Sequence, residues 1–189
     1  MKELNVMIVG VGGQGTLLTS RIIGKVAMNA GLDVKLSEVH GMAQRGGSVV
    51  TFIRFGEKVY EPVIEEGSAD VLISFERLEA LRYAHFLKKE GIIVLNDSKI
   101  NPMTVVIGAA KYPENIIETL EKEHNVYSID GIGIASELGN SKVLNSVVLG
   151  LAAKYIGFSE QEWLNVVEYS VPPKTVDINL KAFKAGYEK

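Results

Sequence analysis

Apolar residues along the chain occur in short continuous runs and in stripes of helical spacing, and the two patterns alternate. The runs predict strands at residues 4–9, 34–39, 71–75, 92–96 and 126–129, and alternating residues predict another at 48–55. A turn at Gly56-Glu57 predicts a hairpin partner at 58–61, and residues 103–107 predict a further strand. The stripes predict helices at 16–30, 76–90, 114–123, 134–138, 142–156, after Ser159, and at 176–184.

This alternation predicts the α/β class. We expect a single domain over residues 1–189, built as a three-layer α/β/α sandwich with a Rossmann-like β-α-β unit at its N-terminus. The hairpin at 48–61 makes the expected sheet mixed, although mostly parallel. In open sheets of this class, ligands bind beyond the carboxyl ends of the strands. The loops after the first two strands are therefore the expected binding region.

Composition narrows the possible functions. The 189 residues are 47% hydrophobic and 23% charged, which excludes a disordered chain, and the net charge is −3, so no nucleic-acid partner is expected. Residues 1–60 nevertheless carry seven basic and four acidic side chains, which favours an anionic ligand there. The longest uncharged stretch, 17 residues from 4 to 20, holds four glycines. It predicts neither a membrane span nor a signal peptide, so we expect a cytoplasmic protein without a membrane partner.

The chain contains no cysteine. This excludes disulfides, thiolate zinc sites and cysteine-ligated iron–sulfur clusters within the chain itself. Its three histidines are far apart in sequence and show no metal-ligand spacing, so no metal site is expected.

A G-x-G-x-x-G motif lies between the first predicted strand and the first predicted helix. The spacing suits a tight turn at Gly10 and close packing at Gly15, with free N–H groups at the helix start facing an anion. We therefore predict cofactor contacts in this loop, at Gly10, Gly12, Gly13, Gln14, Gly15 and Thr16. The alternative is a glycine turn that only packs the helix onto the strand.

The second predicted strand ends near Glu38, about where a ribose-binding acid would lie in a dinucleotide-binding fold. Such a fold would continue with a helix and a third parallel strand, whereas this chain continues with glycines and a hairpin. A free-standing enzyme or sensing domain that binds NAD or ATP therefore remains only an alternative.

The segment 37–48 places polar side chains on a second glycine-bounded loop. Arg45 suits a carboxylate or phosphate, and His40 can move a proton near neutral pH, so these two are the candidate catalytic residues. The predicted cofactor contacts in this region are Glu38, Gln44, Arg45, Gly46, Gly47 and Ser48. The alternative is that Glu38 pairs with Arg45 while His40 caps a turn.

Together these segments resemble a known family. The matching strings are GVGGQG at 10–15, SEVHGMAQRGGS at 37–48 and RFG at 54–56, with further likeness at 67–70, 145–151 and 171–174. They resemble the gamma subunit or domain of 2-oxoacid:ferredoxin oxidoreductases, and HGMAQRGG resembles the small (beta) subunit of the indolepyruvate type.

The resemblance implies a division of labour between subunits. A large partner subunit would hold thiamine diphosphate and [4Fe–4S] clusters, oxidatively decarboxylate an aryl 2-oxoacid and pass electrons to ferredoxin. The acyl group would go to coenzyme A, a possible ligand of the two glycine loops. The chain would be inactive alone, and its docking surface would include Met42 at the carboxyl ends of the strands.

Overall fold

The computed structural model describes residues 3–41 and 46–189. Its sheet has six strands in the order β2-β3-β1-β4-β5-β6. The strands are β1 (Leu4–Val11), β2 (Asp33–His40), β3 (Ser48–Gly56), β4 (Ala69–Ser74), β5 (Leu87–Asn96) and β6 (Asn125–Ile129).

The sheet is mixed because β3 runs antiparallel to both of its neighbours, β1 and β2. The pairs β1–β4, β4–β5 and β5–β6 are parallel. The β1–α1–β2 unit therefore spans β3, which occupies the position next to β1. Mixed but mostly parallel pairing confirms the predicted fold class.

Helices cover both faces of the sheet, and each face has its own apolar cluster. The helices are α1 (Thr16–Asn29), α2 (Arg77–Tyr83), α3 (Met103–Val106), α4 (Ile116–Glu121), α5 (Gly131–Glu137), α6 (Leu144–Ile156), α7 (Glu160–Ser170) and α8 (Val176–Tyr187). Short 3₁₀ turns lie at Ala84–Phe86, Ser141–Val143 and Pro173–Thr175. Buried side chains of α1, α5, α6, α7 and α8 pack on one face and those of α2 and α4 on the other, giving three layers.

Helix boundaries follow local sequence signals. Gly31 has φ +79°, a left-handed conformation that glycine adopts without strain, and its N–H donates to the Met28 carbonyl at the end of α1. At the start of α7, the Ser159 N–H donates to Glu162 Oε2 at 2.8 Å, and the Glu162 N–H donates to Ser159 Oγ. This capping box starts the helix that the sequence predicted after Ser159.

Helices α6 and α8 approach so closely that two glycines face the opposite backbone. A Cβ on Gly150 would lie 2.0 Å from the Phe183 carbonyl oxygen, and one on Gly186 would lie 1.9 Å from that of Val147. No side chain could fit at either position without moving a helix apart from its partner.

Three predicted elements were wrong. Residues 57–68, all described, form no strand; the Val59 N–H instead donates to Asp33 Oδ2, and the hairpin partner of β3 is β2. The helix predicted at 76–90 ends at Tyr83, and residues 87–90 already belong to β5. Residues 103–106 form helix α3, which starts after Pro102, whose fixed φ suits a helix start.

In the described part of the chain, no helix combines the length and the apolar character needed to cross a membrane.

Candidate functional site

Both predicted glycine loops lie at one edge of the sheet. Val11, the last residue of β1, pairs with Ser48 at the start of β3, and His40 at the end of β2 pairs with Val49. The Gly12 N–H donates to the Gly47 carbonyl at 2.9 Å and so joins the two loops directly. The prediction that the two loops lie together at the carboxyl ends of the strands is therefore confirmed.

A cleft of about 420 Å³ opens between the start of α1 and the end of β2. Five of the predicted cofactor contacts and the candidate His40 line it. The lining residues are Gly12, Gly13, Gly15, Thr16, Leu17, Glu38, His40 and Val49.

The floor of this cleft carries free backbone donors. The N–H groups of Gly13, Gly15 and Thr16 have no acceptor within residues 3–41 and 46–189. Gly15 precedes the first turn of the 14-residue helix α1, with φ +86° and no side-chain cap. Unpaired N–H groups and the positive end of the helix dipole together favour an anion here.

Gly10 and Gln14 shape the loop from inside. Gln14 Oε1 accepts from the Val11 N–H at 2.7 Å, and its Nε2 donates to the Phe75 carbonyl at 3.0 Å, so the amide connects the ends of β1 and β4. Gly10 lies within β1, not in a turn as the motif suggested. A Cβ there would lie 2.9 Å from Gln14 Oε1, so Gly10 makes room for this amide.

The opposite wall of the cleft offers side-chain chemistry. Thr51 Oγ1 donates to Glu38 Oε2 at 3.5 Å, which leaves the other carboxylate oxygen able to accept from a hydroxyl or amino group. The exposed His40 ring has its Nδ1 3.2 Å from the Gly41 carbonyl oxygen. The predicted residues Gln44 and Arg45 lie outside the described residues, and so does the proposed pairing of Arg45 with Glu38.

Ser48 and Gly46 belong to a second, smaller cavity of about 220 Å³ beside the cleft. Ser48 Oγ donates to Glu79 Oε2 at 2.5 Å, and Arg82 Nε lies 3.3 Å from Glu79 Oε1. Burial raises the pKa of the Glu79 carboxyl despite these two favourable contacts. The sequence placed Glu79 on a charged helix, and nothing in its spacing marked it as buried.

Glu79 makes the stability of the fold depend on pH. Because its pKa is higher folded than unfolded, its contribution is fully present below the unfolded pKa and is lost as pH rises through the folded value. As pH rises from about 4 to about 7, the free energy of unfolding should fall less in Glu79→Gln than in wild type. Denaturant titrations at both pH values measure this difference.

Glu162→Gln is the control with the opposite sign. Hydrogen bonds from Ser159 lower the pKa of Glu162, so its contribution is present above the unfolded pKa and lost as pH falls. Relative to wild type, this variant should therefore lose more free energy of unfolding at about pH 7 than at about pH 4. A Glu79→Gln protein with the wild-type pH profile would contradict the assignment of the raised pKa to Glu79.

Asn145, in the first turn of α6, was also missed as a site residue. Its side chain is 7% exposed and has no hydrogen-bond partner among the described residues. Its Nδ2 would lie 3.0 Å from a Cβ built on Gly15. This unpaired amide lies against the start of α1 and adds a donor and an acceptor beside the free N–H groups.

No three His, Cys, Asp or Glu side chains in the described ranges come close enough together to hold a metal ion.

Comparison with known proteins gives one family and several relatives. The family model described as "Pyruvate ferredoxin/flavodoxin oxidoreductase" matches residues 5–189. The chain is 45% identical over 192 residues to the indolepyruvate oxidoreductase subunit IorB of Pyrococcus horikoshii, a match that covers 98% of this chain and 95% of that subunit.

Solved structures show the same fold at lower identity. The keto/oxoacid ferredoxin oxidoreductase gamma subunit from Geobacter sulfurreducens is 23% identical with a TM-score of 0.73, covering 98% of this chain and 96% of that one. A 2-oxoglutarate:ferredoxin oxidoreductase from Magnetococcus marinus, solved with 2-oxoglutarate, coenzyme A and succinyl-CoA, is 21% identical with a TM-score of 0.75. That match covers all of this chain and 31% of the other. Since the family model and the IorB relative both match nearly the full length, the chain belongs to the pyruvate ferredoxin/flavodoxin oxidoreductase family.

Proposed function

We propose that this chain is the small subunit of an indolepyruvate, or aryl 2-oxoacid, ferredoxin oxidoreductase. The observation that carries the proposal is 45% identity to an indolepyruvate oxidoreductase subunit over nearly the whole of both chains. The complex oxidatively decarboxylates the oxoacid to its acyl-CoA and passes the electrons to ferredoxin. In this proposal it does so in the cytoplasm.

The redox cofactors belong to the partner in this proposal. With no cysteine, the chain has no thiolate to ligate a [4Fe–4S] cluster. The clusters are therefore assigned to a large partner subunit. The family resemblance assigns thiamine diphosphate to the same subunit, which also passes electrons to ferredoxin.

Coenzyme A is the ligand we assign to the cleft. Its phosphates suit the unpaired N–H groups of Gly13, Gly15 and Thr16, and Glu38 on the opposite wall can accept from a hydroxyl or amino group. The structural relative from Magnetococcus marinus was solved with coenzyme A bound, which supports this ligand class. NAD and ATP share the same phosphate chemistry, so the experiment must separate the three.

The test compares the chain alone with the assembled complex. Alone, it should show no oxoacid-dependent reduction of viologen dye, whereas mixing with the large subunit should restore turnover that requires both indolepyruvate and coenzyme A. Calorimetry on the chain alone should detect coenzyme A more strongly than NAD or ATP.

Two outcomes would contradict this proposal. Dye reduction by the chain alone would mean that it carries its own redox chemistry. Tight binding of NAD or ATP with none of coenzyme A would favour the alternative of a free-standing nucleotide-binding enzyme or sensing domain.

A further inference from the structure

Exposed apolar side chains collect at the same edge of the sheet as the cleft. We define the apolar rim as Val39, Ile100, Met103, Val106, Ile107 and Ile132, all of which are exposed. Val39 lies near the end of β2, the next four follow β5, and Ile132 lies in the first turn of α5 after β6. The rim therefore extends from one end of the strand order to the other.

Helix α3 is the most exposed part of this rim. None of its four residues is buried, although three are apolar, and Met103 is 71% exposed and the adjoining Ile107 69% exposed. A helix in a globular protein normally buries its apolar stripe. Exposed apolar groups that lie close together mark a surface that another molecule covers.

A partly buried hydrogen bond anchors the rim at Ile100, beside the smaller cavity. Glu76 caps α2, and its Oε1 accepts from the Ile100 N–H at 3.0 Å, which anchors the segment before α3 at the carboxyl end of β4. Ile100 also lines the smaller cavity together with Gly46 and Ser48. A molecule seated on this part of the rim would extend over the glycine loops.

The molecule that covers the apolar rim can be inferred from the way the same fold occurs in other proteins. The match covers 95% of the Pyrococcus horikoshii subunit but 31% of the Magnetococcus marinus chain. One fold unit is thus a separate subunit in one protein and part of a longer polypeptide in another. Where it is separate, a non-covalent interface has to supply the attachment that the longer chain provides covalently.

We propose that the apolar rim is the surface on which the large subunit docks, with α3 at its centre. This inference rests on the proposed function, because it takes the large subunit as the occupant. Docking there covers the cleft between β2 and α1 and excludes bulk water from it. Met42, which the sequence analysis assigned to the docking surface, lies outside the described residues.

The test uses two methionines that both lie on helices and are both exposed. Met103→Asp combined with Ile107→Asp places charge on the rim, whereas Met28→Asp places it near the end of α1, at the opposite edge of the sheet. We expect the rim variant to bind the purified large subunit roughly 10- to 100-fold more weakly than wild type, with Met28→Asp within about threefold. Thermal melting of each chain alone shows that both variants fold.

The outcomes separate the two proposals. If wild type binds the large subunit and the rim variant binds equally well, the docking surface is wrong while the proposed function stands. If wild type does not bind the large subunit, the proposed function itself fails. If wild type alone sediments as a dimer that the rim variant disrupts, a second copy of the chain occupies the rim, which overturns this assignment.

Discussion

Replacing Gly15 with alanine should raise the coenzyme A concentration needed for half-maximal turnover of the assembled enzyme at least about tenfold. Gly15 has φ +86°, a conformation that costs a residue with a Cβ roughly 1–2 kcal/mol. The new Cβ would also lie 3.0 Å from Asn145 Nδ2, so either the loop or the amide must move. Both effects disturb the N–H groups at the start of α1.

Gly31→Ala is the matched control for this variant. Gly31 lies at the other end of α1 with a similar φ of +79°, and a Cβ there meets nothing within 4 Å. The positive φ should lower the free energy of unfolding of both variants by a similar amount, but only Gly15→Ala should change coenzyme A kinetics. Steady-state rates, measured with the coenzyme A and oxoacid concentrations varied separately, test this difference. Equal kinetic effects in the two variants would show that the cleft does not bind coenzyme A.

A large loss of stability should come from Gly150→Ala. Its Cβ would lie 2.0 Å from the Phe183 carbonyl oxygen, so α6 and α8 have to separate along the contact that holds them together. We expect the free energy of unfolding to fall by about 2–3 kcal/mol or more. For a chain of this size that corresponds to a melting temperature lower by roughly 5–10 °C.

Gly24→Ala, on α1, makes the same chemical change with the opposite expected result. There the Cβ would lie 3.6 Å from Val34 Cγ1, an ordinary contact. Alanine favours a helix interior over glycine, so this variant should gain roughly 0.5–1 kcal/mol. Denaturant unfolding of both variants measures the change in the free energy of unfolding relative to wild type. A Gly150→Ala protein as stable as wild type would show that α6 and α8 can separate without loss of stability.

Much of the fold could be predicted because local signals decide it. Some signals determine the structure of residues only a few positions away in the sequence. They are the apolar runs of the strands, the left-handed glycine Gly31 and the capping box at Ser159. Strand partners are decided at longer range. Gly56-Glu57 resembles a hairpin turn, but β3 pairs with β2 and β1 on its two sides, which leaves no edge for a strand at 58–61.

The end of the predicted helix at 76–90 shows the same limit. Lys88, Lys89 and Glu90 have the composition of a solvated helix, yet they belong to β5, where Lys88 Nζ lies 2.5 Å from Asp70 Oδ1. A Cβ on Gly91 would lie 3.0 Å from the Ala69 carbonyl oxygen, at the point where the β4–β5 register shifts. The glycine permits a close approach between strands, which its sequence neighbours do not reveal.

The residues of the candidate site also divide into those that local sequence signals indicate and those that depend on distant elements. The glycine motif and the strand ends led to Gly12, Gly13, Gly15 and Glu38 as predicted cofactor contacts, and these four residues line one cleft. Glu79 and Asn145 were missed because each owes its position to elements far away in the chain. Ser48 reaches Glu79 across 31 residues, and Asn145 contacts Gly15 across a still longer separation.

The bridge made by Gln14 has a consequence for the entropy of binding. The protein's own hydrogen bonds from Val11 and to Phe75 already fix the backbone beside Gly12–Gly15. Fixing one flexible residue costs roughly 1–2 kcal/mol, and here folding rather than the ligand supplies that ordering. Association at this loop therefore carries less conformational entropy loss, so ordering the loop takes little from the free energy of any phosphate contacts made there.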